Sequence, residues 1–123
     1  MQMKEQENNN TEVEKAEVKL RSIKGFPEWI QMDEKGFYHV ETRHGVYILE
    51  EVSANLSMSA EGLAMRPGHK EMDTKLYQLG LISNMTVEPK LGEEQLKEMK
   101  GSAWNRVRQA ATMIMGLDDF LQE

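Results

Sequence analysis

Cysteine is missing from this chain. Its absence removes a disulfide framework, a thiolate nucleophile and the usual ligands of a structural zinc site, and it suits an intracellular setting. No apolar run approaches the ~18 residues needed to span a bilayer. The opening, Met1-Gln2-Met3-Lys4-Glu5-Gln6, carries no apolar segment of signal-peptide type. Secretion and membrane insertion are therefore disfavoured. A surplus of cations is lacking too: the net charge is −6, which argues against a chain that coats nucleic acid phosphates. Gly80 and Gly92 stand alone, outside any strand-Gly-x-Gly-helix segment, so no phosphate loop is present. Ser57 and Ser59 sit in no Gly-x-Ser-x-Gly setting. His39, His44 and His69 show no metal-ligand spacing. The paired acids Glu50-Glu51, Glu93-Glu94 and Asp118-Asp119 are sequence neighbours, whose side chains diverge on a helix or strand. No catalytic set, cofactor or metal is expected.

What remains is enough for one modest domain. A chain of 123 residues can bury a real core. Ten methionines are many for this length, and Met is the side chain that best fills irregular or adaptable apolar surfaces. Residues 1–17 are polar and carry Asn8-Asn9-Asn10, with too little apolar surface to offset the entropy of ordering them, so they read as a disordered arm. Residues 18–123 read as a single α+β domain, with a small antiparallel β-meander over 18–52 and three to four helices over 53–123.

Within the meander, Val18 to Arg21 alternates apolar and charged residues as a half-buried strand does, until Gly25-Phe26-Pro27 interrupts it. Trp29 to Met32 is a short apolar patch before a turn at Asp33 to Gly36. Phe37 to Thr42 and Val46 to Val52 form the clearest pair, joined through Arg43-His44-Gly45, where Gly accepts the positive φ of a tight hairpin. The helical part opens with Ser53 to Met65, either a helix capped near Ser57 or Ser59 or an extended connection. Arg66-Pro67-Gly68-His69 reads as a turn. Asp73 then caps a helix from Thr74 to about Asn84. Met72, Leu76, Leu79 and Ile82 fall on one side of it and Tyr77, Leu81 and Met85 on the other, which predicts central burial.

The last third carries the densest signals. Pro89 biases Glu88 toward extended backbone, and Gly92 with Gln95 three places on predicts a short helix from Glu93 to Met99. After Lys100-Gly101, Ser102 can cap a second helix, Ala103 to Met115. Ala103, Trp104, Val107, Ala110, Ala111, Ile114 and Met115 share one sector of it, with Asn105, Arg106, Arg108, Gln109 and Thr112 opposite. Gly116 followed by Leu117 suits a Schellman ending.

The Pro89-x-Leu91 opening, the Glu93-Glu94-x-Leu96 helix, the Lys100-Gly101-Ser102 cap, Gly116-Leu117 and the closing Asp118-Asp119-Phe120-Leu121 together resemble the tail assembly chaperones of long-tailed bacteriophages, especially those of Bacillus-type phages and prophages. The resemblance covers about the last half of the chain, from near Glu51. Gly92 departs from it, where similar sequences more often carry Ser, Thr or Asp. The resemblance implies a small non-catalytic protein of the host cell cytoplasm. It would bind the tape measure protein while a tail is built and be absent from the finished particle. Possible further partners are the major tail protein, a longer frameshifted form of the same chain, and other copies of itself. The working surface such a role needs combines apolar and cationic groups, and the residues expected to supply it are Met113 and Arg108 on the last long helix, with Tyr77, Trp104, Phe120 and Leu121.

Two other classes share the absence of chemistry. A structural virion or tail-completion protein would be equally small. A helix-turn-helix DNA reader would use the outward face of the 103–115 helix, although acidic residues outnumber basic ones from Thr86 to Glu123.

Overall fold

The structure is a computed structural model, and it describes residues 19–65 and 73–117. Five strands, β1 (Arg21–Ser22), β2 (Ile30–Met32), β3 (Tyr38–Thr42), β4 (Gly45–Leu49) and β5 (Thr86–Glu88), form one antiparallel sheet in sequential order. Four helices complete the described residues: α1 (Ala54–Ala64), α2 (Thr74–Met85), α3 (Glu93–Lys97) and α4 (Gly101–Ile114). The chain is therefore α+β, a small meander followed by a helical half.

The hairpin β3–β4 closes through Arg43-His44 because Gly45 takes a φ of +115°. Its register pairs Val40 with Tyr47 and Tyr38 with Leu49, while Ile30 pairs with Val40 on the other side. Strand alternation puts Ile30, Val40 and Leu49 on the same face, and all three are fully buried. The helices cover this face alone: α4 packs on β3, and α2 packs against α1, α3 and α4. The other face carries Gln31, His39, Glu41, Val46 and Ile48, half-buried or exposed, and no described helix lies on it. α2 is buried on both sides, through Tyr77, Leu79, Leu81, Ile82 and Met85, which makes it the central helix that its two apolar sides predicted; Leu76 is the exception, at 40% exposure. Each buried aliphatic side chain contributes about 1.5–3 kcal/mol.

Several boundaries differ from the sequence reading, each for a local reason. Among the described residues β1 covers Arg21 and Ser22, paired with Met32 and Gln31, and leaves out Lys19 and Leu20 of the expected strand; Val18 lies outside the described residues. β4 ends at Leu49, short of Val52, and there the chain turns to the helices: the Glu50 N–H donates to the Met85 carbonyl (2.9 Å). α1 is capped by Ser53, whose Oγ accepts the Leu56 N–H, and not by Ser57 or Ser59. α3 stops at Lys97, with Glu98 and Met99 donating three residues back in a tighter last turn. α4 starts at Gly101, so Ser102 lies inside it and does not cap it; its Oγ sits 3.1 Å from His44 Nε2.

β5 was not expected at all. Thr86 and Glu88 pair with Leu49 and Ile48 across an irregularity in β4, so the meander draws its last strand from beyond α2. Thr86 also organises the link to α3: its hydroxyl donates to the Ser83 carbonyl and accepts the Leu91 N–H. Two sequence signals hold as read. Asp73 accepts the Leu76 N–H at the start of α2. Gly116, at a φ of +67°, and Leu117 donate to the Met113 and Thr112 carbonyls, a Schellman ending. The expected arm of residues 1–17 and the turn at 66–69 lie outside the described residues.

Candidate functional site

Polar chemistry on the described surface is confined to small local arrangements. Asp33 opens the β2–β3 turn. Its Oδ1 accepts the N–H groups of Lys35 (2.9 Å) and Phe37 (3.0 Å), and its Oδ2 lies 2.8 Å from His39 Nε2. Partial burial pushes this carboxyl up, but the hydrogen bonds from His39, Phe37 and Lys35, with the charge of a protonated His39, outweigh it and hold the group below its ordinary value. Both carboxylate oxygens are thus engaged in closing a turn. The pair lines a shallow depression of about 400 Å³ on the sheet face that carries His39, together with Lys19, Lys35, Ile48 and Glu88. Among the described residues no cluster of three or more His, Cys, Asp or Glu could hold a metal ion.

The face of α4 expected to be polar and outward is partly engaged. Arg106 stacks over the Trp29 ring, 4.4 Å from its centroid, and donates from Nη1 to the Glu41 carbonyl (2.9 Å). This clamp fixes α4 to β2 and β3. Thr112, expected on the same side, is buried, with its hydroxyl donating to the Arg108 carbonyl one turn back. A recognition helix needs its polar face free for a groove. Two of the five residues named for that role are committed to the fold.

Of the residues expected to bind a partner, Tyr77 is a correction. It is fully buried and its hydroxyl lies 3.1 Å from Ser57 Oγ, so it belongs to the seam between α1 and α2 and not to an accessible surface. Arg108 is half-buried and donates to Asn105 Oδ1 (3.3 Å). Met113 is half-buried against the core. Trp104 is half-buried and lines a cleft of about 240 Å³ between α2, α3 and the start of α4. Phe120 and Leu121 lie outside the described residues. Among the described members of the set, Trp104 borders an open cleft.

Among the described residues, most of the large exposed apolar side chains lie elsewhere, on α1 and the start of α2, with Leu20 and Val46 exposed at the sheet. Leu63 is 81% exposed and Met58 56%, with Leu56, Met65 and Leu76 at 40–42%. The cause is how α1 rests on its neighbour. Its two buried residues are Ala60 and Ala64, and opposite Ala60 stands Gly80, where even an added Cβ would meet Ala60 Cβ at 3.6 Å. A seam of small residues lets the two backbones approach closely; Leu56 and Leu63 stand at its margin, and Met58 lies on the far side of α1. Charge is sparse here as well: Glu61 and Lys75 are the charged residues of the two helices. The sequence held this signal in two alanines four apart, Ala60 and Ala64, beside Leu56, Met58 and Leu63.

No family model, curated protein sequence or solved structure matches the chain. Function is therefore argued from these residues and from the resemblance carried by residues 87–121. Among the described residues no helix is long and apolar enough to cross a membrane.

Proposed function

We propose that the chain is a tail assembly chaperone of a long-tailed bacteriophage, working in the host cytoplasm by binding the tape measure protein until tail tube subunits displace it. The observation that carries this reading is the apolar surface of α1 and α2, where Leu56, Met58, Leu63 and Leu76 stand in solvent on a chain of net charge −6. Leu56 and Leu63 fall within about 20° of each other around α1, with Met58 on the opposite side, and large exposed apolar groups so placed on a small acidic protein favour a surface for another chain. A long amphipathic helix is the client it suits, because apolar residues spaced along a helix pair supply the anchors of helix recognition and methionine adapts to varied partners. The acidic remainder keeps the complex soluble.

The reading moves the working surface from the last helix, where the sequence placed it, to the first helix pair. Support also comes from the resembling segment, which holds two short-linked helices, α3 and α4, and a Schellman ending at Gly116-Leu117, although Ser102 lies inside α4 and does not cap it. The test is co-expression with the tape measure protein of a long-tailed phage. The parent chain is expected to keep that protein soluble and to co-purify with it. A Met58→Ser, Leu63→Ser double variant, folded by circular dichroism, is expected to do neither. Failure of the parent to rescue the client, or recovery of the chain as a stoichiometric part of mature particles, overturns the reading.

A further inference from the structure

The cleft beside Trp104 is separate from the apolar surface of α1. Its floor is Leu79, Leu96, Met99 and Trp104, and its charged lining residues are Lys75 and Lys97; Lys97 also meets Glu94 Oε2 at 3.4 Å in an exposed pair that a second carboxylate can share or displace. Leu79 and Leu96 are almost wholly buried, so the floor is fixed, while both lysines are exposed on the rim. Gly101 completes the wall at the first turn of α4, a helix whose N-cap, Lys100, makes no side-chain hydrogen bond to it. The partial positive charge of that helix end adds to the two ammonium groups. At about 240 Å³, the cleft is smaller than the ~300–1,000 Å³ of ordinary small-molecule sites. It has room for one large apolar side chain flanked by acids.

We infer that the occupant is the segment Asp118-Asp119-Phe120-Leu121-Gln122-Glu123 of a second copy of this chain, with Phe120 on the Trp104 floor and the neighbouring carboxylates on Lys75 and Lys97. Three stretches lie outside the described residues, and the last alone contains an aromatic residue; residues 1–18 and 66–72 have none. It is also the one whose Phe and Leu are bracketed by acids and accompanied by no base, the complement of an apolar floor with a cationic rim. The arrangement requires two copies for a reason of length. α4 has 14 residues, about 20 Å at 1.5 Å per residue, with the cleft at its start and Leu117 beyond its end. Phe120, three residues past Leu117, reaches at most ~11 Å further. A chain's own phenylalanine stops short of its own cleft. This inference stands or falls independently of the client.

The test is sedimentation velocity on the full chain, over concentrations spanning a dissociation constant on the order of tens of micromolar, the range a six-residue anchor supports. The parent is expected to dimerise, more weakly as salt rises. Phe120→Ser removes the anchor, and Lys75→Glu with Lys97→Glu reverses the rim. Each variant is expected to dimerise at least about tenfold more weakly than the parent, with unchanged circular dichroism. Mixing the two is expected to restore a pair, because one intact cleft then meets one intact tail. A second route is charge exchange: Asp118→Lys with Asp119→Lys is expected to weaken association, and combining it with the rim reversal to recover it. A parent that stays monomeric, variants that associate like the parent, or a mixture that stays monomeric overturns the inference.

Discussion

Helices α1 and α4 are of similar length and use their apolar residues in opposite ways. α4 buries Ala103, Val107, Ala110, Ala111, Thr112 and Ile114, lies on β3, and is locked there by Arg106 over Trp29. α1 buries Ala60 and Ala64 and presents Leu56, Met58 and Leu63 to solvent. Hydrophobic residues on a helix therefore do not by themselves locate a core. What decides is whether the large ones or the small ones occupy the stripe that meets the neighbour. Where small ones do, backbones approach closely and the large side chains are left for another purpose.

The largest expected effect that sharpens this contrast is at Val107. Val107→Ala removes two buried methyl groups and leaves a cavity, and it should cost about 2 kcal/mol in a denaturant titration. Leu63→Ala deletes more carbon, yet at 81% exposure it should change stability by less than about 0.5 kcal/mol. Equal losses at the two sites would break the comparison.

Next comes Asp33, which belongs with the body of the fold. Asp33→Ala removes the acceptor for His39, Lys35 and Phe37, and should cost about 1 kcal/mol near neutral pH. The sign of its pH dependence follows from a carboxyl held below its ordinary value by the fold. Its contribution is present above the unfolded value of about 3.9 and is lost as pH falls through that value toward the folded one. The parent should lose stability over that acid range, and Asp33→Ala should lose less of it. Thermal melts from pH 6 downward measure both, and a parent and variant that lose stability in parallel would remove Asp33 as a source of the acid sensitivity.

Gly62 gives a smaller effect of opposite sign. An added Cβ there meets nothing within 4 Å, so Gly62→Ala should stabilise α1 by about 0.5–1 kcal/mol through helix propensity alone. A loss would mean that this side of α1 is not open. The smallest expected change, that of Leu63→Ala, becomes informative when paired with client rescue: solubilisation lost at unchanged stability separates a binding residue from a packing one.

Legibility in the sequence followed how local the cause was. Asp73, Gly45 and the Gly116-Leu117 ending were readable because a cap, a hairpin turn and a Schellman motif each rest on hydrogen bonds within a few residues. β5 was hidden because Thr86–Glu88 is too short to show alternation and takes its conformation from Ile48 and Leu49, nearly forty residues upstream. Ser102 looked like a cap and proved to sit beside His44, since a serine ahead of an apolar sector cannot announce which of two partners it will meet. The same reasoning explains the candidate surface. Tyr77 was read as available because α2 is apolar on two sides, and only the approach of Ser57 across the seam assigns it to the interior. Trp104 was singled out as apolar, while its two lysine neighbours come from α2 and α3, and no spacing along one helix could reveal them.

The late fifth strand has a consequence for the order in which the molecule can be made. Until Glu88 has emerged from the ribosome, β4 is an unprotected border, and every stretch of the nascent chain that precedes it is competing to pair there. Completion of the sheet thus waits on two helices that are synthesised first, and a fragment ending at residue 52 contains four strands of a five-strand object.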